Sequence, residues 1–191
     1  QTLLPNEPPA VVAYSRKNPF PGRLLVNYRL NSPDSEKDTR HFEISLEGSG
    51  LTYEVGDSMA VYPTNDPDLV DEILEALHAK GDEEIVGNRG TSTTLREGLL
   101  RDYTITQATP KFLKAIAQRA SAAPLLNELL QPDRRHDLET YLWGLEVIDF
   151  LVEHPSINFA PQEFVALLPK LQPRLYSIAS SLKLCPKAVH F

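Results

Sequence analysis

The apolar residues of this chain change their period twice. They recur at every second position between residues 24 and 62, at every third and fourth between 66 and 168, and an extended pattern returns after 173. A chain so patterned folds as strands, then a helical block, then strands again, which predicts an α+β protein in which a helical module interrupts a sheet. Leu24, Val26, Tyr28 and Leu30 alternate with Arg23, Asn27 and Arg29, which predicts a strand with one buried face. Phe42, Ile44 and Leu46 alternate with His41, Glu43 and Ser45 to give a second strand, and residues 57–62 give a third, closed by Pro63. Between them, 31–38 is a polar loop and Gly48-Ser49-Gly50 a tight turn.

The helical block carries its own punctuation. Asp66 is an N-cap residue and Pro67 suits the first helical position, with Leu69, Val70, Ile73, Leu74 and Leu77 following and Gly81 ending the run. Thr94 and Glu97 have the spacing of a capping box ahead of Leu95 and Leu99. Thr109-Pro110 opens another helix through Phe112, Leu113, Ile116 and Ala117; further helices are predicted near 124–131, 137–143 and 145–153, and a last one from Pro161 to before Pro169. Residues 1–12 are Pro-rich and polar and read as a tail or linker. The domains expected are therefore 13–63 with 169–191 for the strands and 64–168 for the helices.

Charge narrows the function. The chain carries −7 overall, but residues 64–168 hold 9 Lys and Arg against 18 Asp and Glu, while 169–191 hold four basic residues and no acidic one. An acidic helical block argues against a nucleic-acid partner, which requires a basic face. No apolar run approaches the ~20 residues of a membrane span. A single cysteine, Cys185, excludes an internal disulfide and favours a reduced, cytoplasmic setting. No metal site is expected, since the five histidines are scattered and no C-x-x-C occurs.

The basic end contains Arg174-Leu175-Tyr176-Ser177-Ile178-Ala179-Ser180-Ser181. Arg174 offers a planar fork of donors matched to phosphate oxygens. Tyr176 offers a ring face for stacking, and Ser177 a small donor and acceptor able to approach a ring nitrogen. Strand alternation puts Arg174 and Tyr176 on one face and Ser177 on the other. Taken alone, R-x-Y-S reads as an ordinary strand with a surface ion pair and a core tyrosine.

With its flanks, Leu167 to Pro173 before it and Pro186 and Val189-His190 after it, the stretch resembles the FAD-binding motif of the NADPH-dependent diflavin reductases. Asn18-Pro19-Phe20-Pro21-Gly22-Arg23, Asp38 to Leu46, Tyr53 to Asp66, Thr94 to Glu97 and Tyr141-Leu142-Trp143 resemble other passages of that family in the same order, from about residue 13 to the end. The sulfite reductase flavoprotein branch is the most alike. The resemblance implies an antiparallel FAD-binding β-barrel, incomplete in this chain, interrupted by an all-helical connecting domain. It also implies that Arg174 neutralises the FAD pyrophosphate, that Tyr176 stacks on the isoalloxazine, that Ser177 assists hydride arrival at flavin N5 as the catalytic residue, and that His41 lies near the phosphates. The implied activity is that of an NADPH-dependent flavoprotein oxidoreductase. Its electrons run from NADPH through FAD, then FMN of a flavodoxin-like domain, to a sulfite reductase haemoprotein or similar acceptor. NADPH and FMN would bind regions absent from these residues, so the chain alone is expected to be inactive and to retain FAD weakly or not at all. The competing expectation is a flavin-free module serving protein docking or structure.

Overall fold

The computed structural model describes residues 14–16, 18–88, 90–120 and 123–191; the predicted tail lies outside them. Two compact units result: the chain up to Val61 together with Arg174–Phe191, and Tyr62–Pro173.

The first unit is antiparallel sheet. Strand β1 (Leu24–Arg29) pairs with β2 (Arg40–Ser45), and β2 with β7 (Ala188–His190). Separately, β3 (Ser58–Val61) pairs with β6 (Arg174–Ser177). The Ala179 N–H donates to His190 O at 2.8 Å, so the segment leaving β6 runs on to the β7 edge. Among the described residues these strands form two antiparallel sheets that do not close into a barrel. Gly22 permits the approach to β2, since a Cβ there would sit 2.7 Å from Ile44 Cγ2. The expected buried face of β1 needs correction: Leu24, Tyr28 and Leu30 are about half exposed. Alternation states which side chains share a face, whereas burial needs a second layer over that face, and among the described residues of this unit none covers it. Val189 is the one buried apolar side chain among its described residues.

The second unit holds a dry core. Helices α1 (Pro67–Ala76), α2 (Leu95–Arg101), α3 (Pro110–Arg119), α4 (Pro124–Leu129), α5 (Arg135–Tyr141), α6 (Val147–Glu153) and α7 (Pro161–Leu167) pack around Ile73, Leu99, Phe112, Ile116, Phe150 and Phe164. Asp66, Thr94 and Thr109 cap their helices as their side chains predict, accepting from Asp68, Glu97 and Phe112 N–H groups. Thr94 forms half a capping box, because Glu97 turns to Arg101 at 2.9 Å instead. The complete box joins Glu146 and Asp149.

Two expectations fail here. α1 does not run on to Gly81. It stops at Leu77, where His78 takes φ +54°, its N–H donating to Glu75 O while the Ala79 N–H donates to Leu74 O. This is the paired closure usually built on glycine. Nor is the unit all-helical, since β4 (Glu84–Val86) and β5 (Ser92–Thr94) form a hairpin ahead of α2. Gly98 lets α2 lie against it, for a Cβ there would meet Ile85 Cδ1 at 2.6 Å.

Asn65 closes the unit. Its Nδ2 donates to Leu99 O at 2.6 Å and Tyr103 O at 2.7 Å, and its N–H to Leu100 O at 2.9 Å. Asn65→Ala removes both donors from two carbonyls at once. Chemical denaturation should report a loss of about 1–3 kcal/mol, and an unchanged midpoint would show that water replaces the amide without cost.

Candidate functional site

β6 carries three of the four residues singled out by the sequence. In its register with β3, Arg174 faces Val61, Tyr176 faces Met59 and Ser177 faces Ser58. The strand is exposed along its whole length. Among the described residues Arg174 has no carboxylate partner, and the Ser177 hydroxyl makes no side-chain hydrogen bond. A surface guanidinium left unpaired in a stretch without acidic residues is a standing attraction for an anion.

Tyr176 is not a core tyrosine. It is 37 % exposed, and its ring lies against Phe191, centroids 4.9 Å apart at 32°. Phe191 stacks in turn on Phe42 at 5.4 Å and 21°, and the two exchange both backbone hydrogen bonds, at 2.9 and 3.1 Å. An aromatic ladder anchored in the sheet therefore backs Tyr176. The sequence reading missed Phe42 and Phe191, because the pairing of β2 with the chain end is not visible in any local pattern.

The motif's hydroxyls divide between two tasks. Ser180 Oγ lies 2.6 Å from the Tyr53 hydroxyl and accepts the His190 N–H at 3.0 Å. It ties the segment after β6 to β7 and is engaged within the protein, whereas Ser177 is not.

His41 sits on β2, half-buried, opposite Tyr28, whose ring is 5.0 Å away. Its Nε2 is 3.1 Å from Glu43 Oε1. Any phosphate contact by His41 must use Nδ1. His190 packs edge-on against it at 5.4 Å. His190 adjoins Phe191, so β7 links the histidine cluster to the aromatic ladder behind Tyr176.

The face formed by Arg174 and Tyr176 is open surface. A cavity of about 190 Å³ in the same unit, lined by Leu46, Tyr53, Met59, Ile178 and Val189 among others, includes neither, and it is smaller than the roughly 300–1,000 Å³ of ligand pockets. Another cavity, about 420 Å³, belongs to the helical unit beside Glu139, Trp143 and Glu146. Trp143 is 88 % exposed while Phe150 is buried in the core. Burial raises the Glu146 carboxyl above its ordinary range, with Asp149 and then Glu72 adding to the effect.

The donors suit a flavin dinucleotide. A free fork for pyrophosphate, a partly exposed ring backed by a second ring, and an unengaged hydroxyl next to it lie within four residues of one strand. No described helix is long and apolar enough to cross a membrane.

Comparison with known proteins points to the same cofactor. Residues 13–191 match the family model described as FAD binding domain. The sulfite reductase [NADPH] flavoprotein alpha-component of Bacillus subtilis strain 168 is 43 % identical over 179 residues, 93 % of this chain and 29 % of the relative. That of Mannheimia succiniciproducens is 39 % identical over 181 residues, 95 % of this chain and 30 % of the relative. The Aliivibrio fischeri protein of the same name is 38 % identical over 177 residues, 93 % and 28 %. The chain thus spans about 30 % of the length of the relatives it matches.

Proposed function

This chain belongs to the FAD binding domain family, and on that premise we propose that it is the FAD-holding part of an NADPH-dependent flavoprotein reductase of the sulfite reductase kind. In this reading Tyr62–Pro173 is the connecting domain, inserted between β3 and β6. Arg174 binds the pyrophosphate with its free fork. Tyr176, braced from behind by Phe191, presents its exposed side to the isoalloxazine. His41 lies towards the phosphates, using Nδ1. When bound, FAD supplies the capacity to accept a hydride and release single electrons. Ser177 is the catalytic group: its hydroxyl would donate a hydrogen bond towards the flavin N5 and so help to polarise it. The electron source is NADPH, by the name of the relatives. Onward transfer runs through an FMN-bearing flavodoxin-like domain to a sulfite reductase haemoprotein, in the cytoplasm.

The single observation that carries this reading is the exposed β6 face, where an unpaired Arg174 stands two residues from Tyr176. Its test is a titration of the purified chain with FAD, followed by quenching of flavin fluorescence. Weak but saturable binding is expected, approaching one FAD per chain only at high FAD concentration. Quenching that stays linear in protein, with no saturation up to millimolar FAD, would remove the proposal. In a reductase carrying this segment, Ser177→Ala should leave FAD bound and slow its reduction by NADPH by about tenfold or more, the low end for a positioned proton-transfer or polar group. Stopped-flow loss of flavin absorbance measures this, and an unaltered rate would strip Ser177 of its role.

A further inference from the structure

Three side chains distant in sequence meet on the sheet. Glu43 on β2 lies opposite His190 on β7, and His41, two residues before Glu43, shares its face of the strand. The Glu43 carboxylate reaches both imidazoles, Oε1 lying 3.1 Å from His41 Nε2 and Oε2 3.7 Å from His190 Nε2. One ligand atom from each residue lies within 4.8 Å of the other two. Two donors bound at about 2.0–2.2 Å to one tetrahedral ion stand roughly 3.4 Å apart. The two observed separations, one on each carboxylate oxygen, bracket that value, and the third pair, within 4.8 Å, closes by at most about 1.4 Å through side-chain rotation to complete the geometry.

Much of the cost of organising such a site is already met. Backbone pairing fixes the positions of Glu43 and His190. The imidazole of His41 is held between the Tyr28 and His190 rings, the latter at 89° to it. The three side chains are 20–28 % exposed, which shields them from bulk solvent and still leaves an entry path.

We propose that His41, Glu43 and His190 bind one borderline divalent transition-metal ion, Zn²⁺ first, with water in the remaining position. Two imidazoles and one carboxylate form a donor set that favours such ions. Mg²⁺, which demands six oxygens in near-ideal octahedral array, is disfavoured. The site does not depend on the flavin reading. It uses Nε2 of His41 and leaves Nδ1 free, and it is measured without flavin.

The test uses the untagged chain after chelator treatment. Calorimetric titration with Zn²⁺ should show one saturable ion per chain, and Mg²⁺ should give no binding heat. Loss of an outer-sphere partner weakens metal sites by roughly 10–100-fold, so removal of a direct ligand should cost at least that. Glu43→Gln and His190→Ala are the variants, with strand content checked by circular dichroism. His136→Ala, on the exposed side of α5, should change nothing. Zinc K-edge absorption on the wild-type chain avoids dependence on variant folding and should show scattering from two imidazoles. The proposal is overturned by an absence of saturable Zn²⁺ binding, by unchanged affinity in both ligand variants, or by a spectrum lacking two imidazoles. Loss of binding in His136→Ala overturns it equally.

Discussion

Replacing Phe112 by alanine should destabilise the helical unit by about 3–5 kcal/mol, the range for deleting a buried aromatic ring. Phe112 is fully buried on α3 and meets three other rings, those of Phe150 at 6.3 Å, Phe159 at 6.4 Å and Phe164 at 6.3 Å. These reach it from α6, from the segment after α6 and from α7, so one side chain joins three parts of the core. Its removal forfeits transfer free energy and leaves a void that rigid aromatic walls cannot fill by small adjustments. The helical signal in circular dichroism should melt lower by roughly 10 °C or more. Phe112→Leu, which keeps most of the volume, should fall between the two. A loss below about 1 kcal/mol in the alanine variant would mean that the cluster closes up around the gap and that Phe112 is not its centre.

The second large effect concerns the ligand. Arg174→Ala should weaken FAD binding about 10–100-fold, the equivalent of the roughly 1.5–3 kcal/mol carried by hydrogen bonds to a charged group. Arg174 has no carboxylate partner among the described residues, so its removal leaves no protein charge orphaned, and far-UV circular dichroism should not change. Arg174→Lys separates charge from shape. It keeps the cation and loses the fork, so its affinity should lie between wild type and alanine. Added salt should weaken the wild type more than the alanine variant, because the lost interaction is the screened one. Equal affinity for all three proteins would place the pyrophosphate elsewhere.

The sequence announces some features of this molecule and conceals others for identifiable reasons. Capping residues speak locally. Asp66, Thr94 and Thr109 each satisfy a backbone N–H within three residues, so their helices begin where the side chains say. β4 and β5 have three residues each, too short for one alternation to be told from chance, and the hairpin stayed hidden. The end of α1 was misread because His78 adopts a backbone conformation usually left to glycine, while the glycine lies three residues further on.

The site divides in the same way. Arg174, Tyr176 and Ser177 are neighbours in sequence, so their chemistry shows as a motif. What braces Tyr176, and the His190 ring set against His41, came through the pairing of β2 with β7, which no local pattern predicts. The absence of metal-ligand spacing in the sequence likewise said nothing about residues that meet only in the fold.

Among the described residues of the strand unit, little is sealed from water besides Val189 and Ser49. Its shape therefore rests chiefly on backbone pairing, and any molecule settling on its open faces supplies the apolar cover that the sheet lacks. Affinity and foldedness then draw on a single free energy, since an occupant that binds only the ordered sheet shifts the balance towards order as its concentration rises. Loosening the strands should loosen the grip by the same measure, with no contact to the occupant altered.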